Sequence, residues 1–126
     1  MDTMLQILVI LATIMLSGLG VMSMLAPHKM LSNFALQPSG NAGLNTIRSV
    51  IGGLFIACAS ALILGLTQGL VAGYLLVALV MAAVAFGRVL GLAIDGFEKA
   101  VLPPLILELA IIAVLGFGYL SATSAV

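Results

Sequence analysis

Charged side chains are rare in this chain, and where they fall is informative. Five of the eight formally charged residues lie in one stretch, RVLGLAIDGFEKAVLPPLILE: Arg88, Asp95, Glu98, Lys99 and Glu108. Two of these, Arg88 and Glu108, sit inside or at the edge of apolar runs, as does Arg48 further upstream. An ionised group in such a place is costly and marks a functional candidate by default. Helical spacing puts Arg88, Leu92 and Asp95 on one face, and Glu108, Ile112, Leu115 and Tyr119 on another. Glu108 cannot stay ionised in hydrocarbon without a cation nearby. Arg48, expected in the first turn of its helix, is disfavoured by the helix dipole, whereas Arg88 near a C-terminus is favoured. The expected constellation is an Arg48–Glu108–Arg88 cluster inside a bundle, with Asp95 bonded to one arginine at the surface.

Two roles are open to such a cluster. It can do no more than fix helix register. It can also form a polar pocket for an anionic headgroup, a small metabolite or a proton. Catalysis is the weakest reading. The one histidine, His28, sits beside Lys29 in a connecting segment, and the one cysteine, Cys58, lies among Ala and Ile. Neither a base–nucleophile pairing nor a metal-ligand set is present, and no cofactor is implied. A single cysteine also excludes an intrachain disulfide.

The elements that must position these residues follow from composition. The 126 residues are 63% hydrophobic and 6% charged, with a mean hydropathy of +1.38. A soluble domain has about 25% charged residues. The chain therefore reads as one integral-membrane domain, residues 1–126: an all-α polytopic protein built as a four-helix transmembrane bundle. The apolar runs place the spans at about 4–25, 46–66, 70–92 and 101–120, each close to the roughly 20 residues a bilayer requires. The first run is read as a retained span, because Asp2 precedes it, no Lys or Arg does, and it is longer than the usual ~7–15-residue signal core.

Small residues indicate where helices approach one another. They include Ser17, Gly18 and Gly20 in the first span, and Gly52 beside a stripe of Gly53, Ala57, Ala61 and Gly65 in the second. Ala78, Ala82 and Ala83 serve the third. Pro27 can open a short interfacial helix with Met30, Leu31 and Phe34 on one face; an irregular loop is the alternative. Gln37-Pro38-Ser39-Gly40 then breaks it, and Asn41 or Asn45 can cap the next helix. Thr67-Gln68-Gly69 and Asp95-Gly96 read as turns. Pro103-Pro104 suits the first turn of the last helix.

With four spans, Lys29, Arg48, Arg88 and Lys99 all fall toward one face. The positive-inside rule makes that face cytoplasmic and puts both termini on the periplasmic side. Net charge is zero, with no basic patch, so nucleic acid is not a partner. Membrane lipid is the expected partner, with a homo-oligomer or a larger membrane complex as further possibilities.

Asn45-Thr-Ile-Arg48-Ser-Val-Ile-Gly52-Gly53, then Gly87-Arg88-Val-Leu-Gly91 with Asp95-Gly96, then Glu108, resembles a family of small bacterial four-helix membrane proteins of unknown function. The resemblance covers nearly the whole chain. The family pattern often has an aromatic residue before the paired glycines, where Ile51 stands here. The layout is more loosely similar to DoxX-like proteins. The resemblance implies the four-helix fold and supports Arg48, Arg88, Asp95 and Glu108 as the residues of interest, without implying an activity. The expectation is an inner-membrane module that binds or transports a small ligand, lipid or ion. The alternative is a non-catalytic accessory or assembly subunit docking through the Gly53–Gly65 stripe.

Overall fold

In a computed structural model, which describes residues 3–33, 36–37 and 40–124, every described element is helical. They are α1 (Thr3–Leu25), α2 (Pro27–Asn33), α3 (Gly40–Thr46), a π-helical segment (Ile47–Ile51), α4 (Gly52–Gln68), α5 (Ala72–Asp95), a 3-10 turn (Lys99–Val101) and α6 (Leu102–Ser124). Four stretches are long and apolar enough to cross a membrane: Thr3–Leu25, Gly40–Gln68, Ala72–Asp95 and Lys99–Thr123. At about 1.5 Å per residue even the shortest exceeds the roughly 30 Å hydrocarbon layer. The chain is a multi-pass membrane protein with an all-α, four-helix architecture.

The four long helices pack as a ring in which α1 adjoins α4, α4 adjoins α5, α5 adjoins α6, and α6 returns to α1. Four successive spans alternate in direction, so every neighbour in the ring is antiparallel. The α1–α4 and α5–α6 seams are the more extensive, and the α1–α6 seam is the slightest. Val9, Leu16, Leu62, Val77 and Leu115 meet at the centre, each 0–1% exposed. Large apolar side chains also cover the outside: Leu76, Phe86 and Phe117 are 57%, 68% and 64% exposed. On a bilayer-facing surface this is ordinary, because lipid tails are as apolar as the side chains.

Two interior hydroxyls, those of Thr13 and Ser23, are satisfied within their own helix. Thr13 donates to the Val9 carbonyl and Ser23 to the Leu19 carbonyl, both at 2.8 Å. Back-bonding of this kind lets a polar residue stay in an apolar setting.

Close approaches depend on glycine. A Cβ on Gly73 would collide with the Ala61 carbonyl oxygen, so the α4–α5 crossing requires glycine there. Gly20 sits under Ile56, and Gly52 against Met24 and Ser23, at the α1–α4 crossing.

The expected stripe along α4 is only partly used. Gly65 is buried under the Tyr74 ring and Ala61 is half-buried, but Ala57 is exposed and Gly53 has open space where a Cβ would be. A four-residue repeat advances about 40° per step on a helix of 3.6 residues per turn. Between Gly53 and Gly65 the stripe therefore turns through roughly 120°, away from any single neighbour.

The second span also differs from expectation. It begins at Gly40, and neither Asn41 nor Asn45 caps α4, because the helical path runs through α3 and the π segment without a break. The π segment is marked by the Gly52 N–H donating to the Ile47 carbonyl. In the preceding connection, Pro27–Asn33 is helical, with Leu31 turned inward at 2% exposure and His28 and Lys29 outward. Phe34, Pro38 and Ser39, which also figured in the sequence reading, lie outside the described residues. Gly69 ends α4 at φ 70°, its N–H donating to the Leu64 carbonyl.

Candidate functional site

Arg88 lies seven residues before the end of α5, and Glu108 six residues after the start of α6. These offsets correspond to about 10 Å and 9 Å along the two helices. Because α5 and α6 are antiparallel neighbours, the two side chains meet at the same depth. Arg88 Nε donates to both carboxylate oxygens of Glu108, at 2.7 Å to Oε1 and 2.9 Å to Oε2. The side chains are 25% and 12% exposed. One N–H thus serves both oxygens. The N–H groups on Nη1 and Nη2 have no acceptor among the described residues.

The pair forms the polar wall of a cavity of about 350 Å³ between the four helices, toward the charged end of the bundle. Met15, Leu16 and Leu19 close it from α1, Ile51 from the π segment, and Leu54 and Phe55 from α4. Met81 and Val84 of α5 and Pro104, Leu107 and Ile111 of α6 complete the walls, with Leu36 at one end. Apart from Arg88 and Glu108 the lining is apolar. Ligand pockets generally have this character: a large apolar lining with a few polar groups that orient the occupant.

Arg48 does not join the pair. Its Nη1 donates to the backbone carbonyl of Met24, in the last turn of α1. The reason is the earlier start of the second span. With α3 ahead of it, Arg48 is not at a helix N-terminus and meets no dipole penalty. It sits instead against the C-terminal end of α1, where carbonyls lack partners and a cation is favoured.

Asp95 is exposed and bridges neither arginine among the described residues. Its Oδ2 lies back along α5, 3.9 Å from where a Cβ on Gly91 would stand. It shares a face with Arg88 in register, but the Arg88 guanidinium is turned toward α6. The structure therefore brings together two of the four charged candidates and separates the other two. Of the packing candidates, Gly52 and Gly65 are at tight contacts, Ala61 is beside one, and Gly53 and Ala57 are not.

The apolar cavity walls were not visible in the sequence. Phe55, Val84 and Pro104 are of the same types as the lipid-facing residues around them, so composition carries no sign of which face encloses space. The π segment likewise leaves no periodic signature over five residues. Paired glycines at Gly52-Gly53 were the nearest signal to it.

No curated protein and no solved structure matches the chain. Residues 4–119 match the family described as "Domain of unknown function (DUF4345)". That match spans the four long helices, the Arg88–Glu108 pair and the cavity, and the chain belongs to this family.

Proposed function

We propose that this protein is a membrane-embedded binding module. It would hold a small amphipathic molecule with its apolar body in this cavity and a polar group against Arg88 and Glu108. The observation that carries this reading is the position of the ion pair. A pair that served only helix register would be closed off by packing on every side, since buried polar groups are stabilising only when satisfied. Here one side of the pair faces the cavity, and guanidinium donors remain for an occupant. Binding of this kind is the step common to storage, sensing and transport.

On the same reading the protein sits in a bacterial inner membrane, and the positive-inside rule supports the end carrying Lys29, Arg48, Arg88 and Lys99 facing the cytoplasm with the termini periplasmic. The accessory-subunit reading relied on the α4 stripe. It has less surface to work with, because Gly65 is occupied within the chain.

Native mass spectrometry of protein purified in mild detergent tests the proposal. The wild-type protein is expected to retain a small molecule that Val84→Phe, which narrows the cavity, loses while remaining folded and monodisperse. Equal retention by both proteins, or none by either, counts against it.

A further inference from the structure

Three residues of the cavity wall, Met15, Leu107 and Ile111, have a second role. They also line a groove of about 160 Å³ on the outside of the bundle, between α1 and α6. The rest of its lining is Leu8, Leu11, Ala12, Ala110 and Val114, all apolar. It lies on the slightest seam of the ring. Groove and cavity therefore lie on opposite sides of the same three side chains, and these side chains, rather than a helix, stand between the lipid phase and the cavity.

The groove has a direction. Leu8 lies seven residues before Met15 on α1, and Val114 six after Glu108 on α6, so it runs about 10 Å from the level of the ion pair away from the charged end. A hydrocarbon chain lying in it, with its polar end at Arg88, would point the same way as the lipids of the leaflet at the charged end.

The charge balance narrows the head. Glu108 already neutralises Arg88. A carboxylate or phosphate would leave the site with a net negative charge in a low-dielectric setting, which is costly. A hydroxyl or carbonyl oxygen can accept from the Nη groups and adds no charge. Resting on the binding role proposed above, we infer that the ligand is a neutral single-chain lipid, of the monoacylglycerol or fatty-alcohol class. It enters sideways between α1 and α6 by displacing the Met15, Leu107 and Ile111 side chains, its chain runs from the cavity out into the groove, and its head oxygen accepts from Arg88 Nη1 or Nη2.

Photo-crosslinking in phosphatidylcholine vesicles tests this. Reconstituted protein is irradiated with a diazirine-bearing monoacylglycerol or a diazirine-bearing fatty acid of equal chain length, and the adducts are mapped by peptide mass spectrometry. The monoacylglycerol is expected to label the peptides carrying Leu11, Met15 and Leu107, and unlabelled monoacylglycerol is expected to compete. The fatty acid should label about tenfold less, the scale of one charge-assisted hydrogen bond set against an added charge. Ala110→Phe, at an exposed position in the groove, should cut labelling with thermal unfolding unchanged. Arg88→Gln combined with Glu108→Gln should abolish the preference between the two heads.

Stronger labelling by the fatty acid overturns the neutral head. Labelling insensitive to Ala110→Phe but lost in Val84→Phe overturns the groove and leaves the cavity reading standing. Labelling that neither variant changes, or that unlabelled lipid does not compete, overturns both.

Discussion

The shared Nε–H of Arg88 makes Glu108 the residue whose removal is felt most. Glu108→Gln would leave a guanidinium charge uncompensated among apolar side chains, and breaking a buried pair in this way costs about 3–5 kcal/mol. The quarter exposure of Arg88 places the expected loss near the lower end. Reversible denaturation in mixed micelles measures it, and an unchanged midpoint would contradict the account.

A double-mutant cycle separates the two arginines. Arg88→Ala and Glu108→Ala are expected to couple by about 0.5–3 kcal/mol, whereas Arg48→Ala and Glu108→Ala should add within about 0.5 kcal/mol, because they share no partner. The Arg88–Glu108 encounter was legible in the sequence because two ionisable groups fell at matching depths in consecutive apolar runs. Arg48 was misplaced because its expected role depended on where a helix begins, and the uncharged residues Gly40 to Ile47 hold little sign of that.

At the scale of the element, existence and type were plain and contact faces were not. Four apolar runs of spanning length leave little alternative to four helices. The face each turns inward is obscured when both faces are apolar, and the drift of the α4 stripe follows from that ambiguity. The glycines provide a clear contrast. Gly73→Ala should destabilise by about 1–3 kcal/mol, because the added methyl meets backbone that cannot rotate away. Ala57→Leu, a larger change at an exposed position, should be close to neutral. Equal effects in a thermal-shift comparison would refute the assigned α4–α5 crossing. The π segment adds a second element-level feature. Such turns are frequent at functional sites, and this one carries both Arg48, which reaches to α1, and Ile51, which lines the cavity.

For the whole molecule, composition alone indicated the membrane, since 6% charge is too little to cover a water-facing surface. The cavity was not legible, being a property of how the four helices part toward the charged end rather than of any residue. Orientation is open to direct measurement. In a Cys58→Ala background, Gln68→Cys should react with a membrane-impermeant thiol reagent added to intact cells, and Lys99→Cys should not. The reverse pattern would invert the topology.

The α4–α5 hairpin has a consequence for how the protein reaches its place. From Ser49 to Gly87 the chain contains no Asp, Glu, Lys, Arg or His. In the orientation proposed above, the turn at Gly69 is the part that travels through the hydrocarbon to the far side. Carrying one elementary charge across a membrane potential involves about 2.3 kcal/mol per 100 mV, and this hairpin carries none. Its insertion is therefore electrically silent: neither the sign nor the size of the membrane potential acts on the passage. Arg48 and Arg88 stand at its two ends, where in that orientation they act as stops that keep the base of the hairpin on the side from which it started.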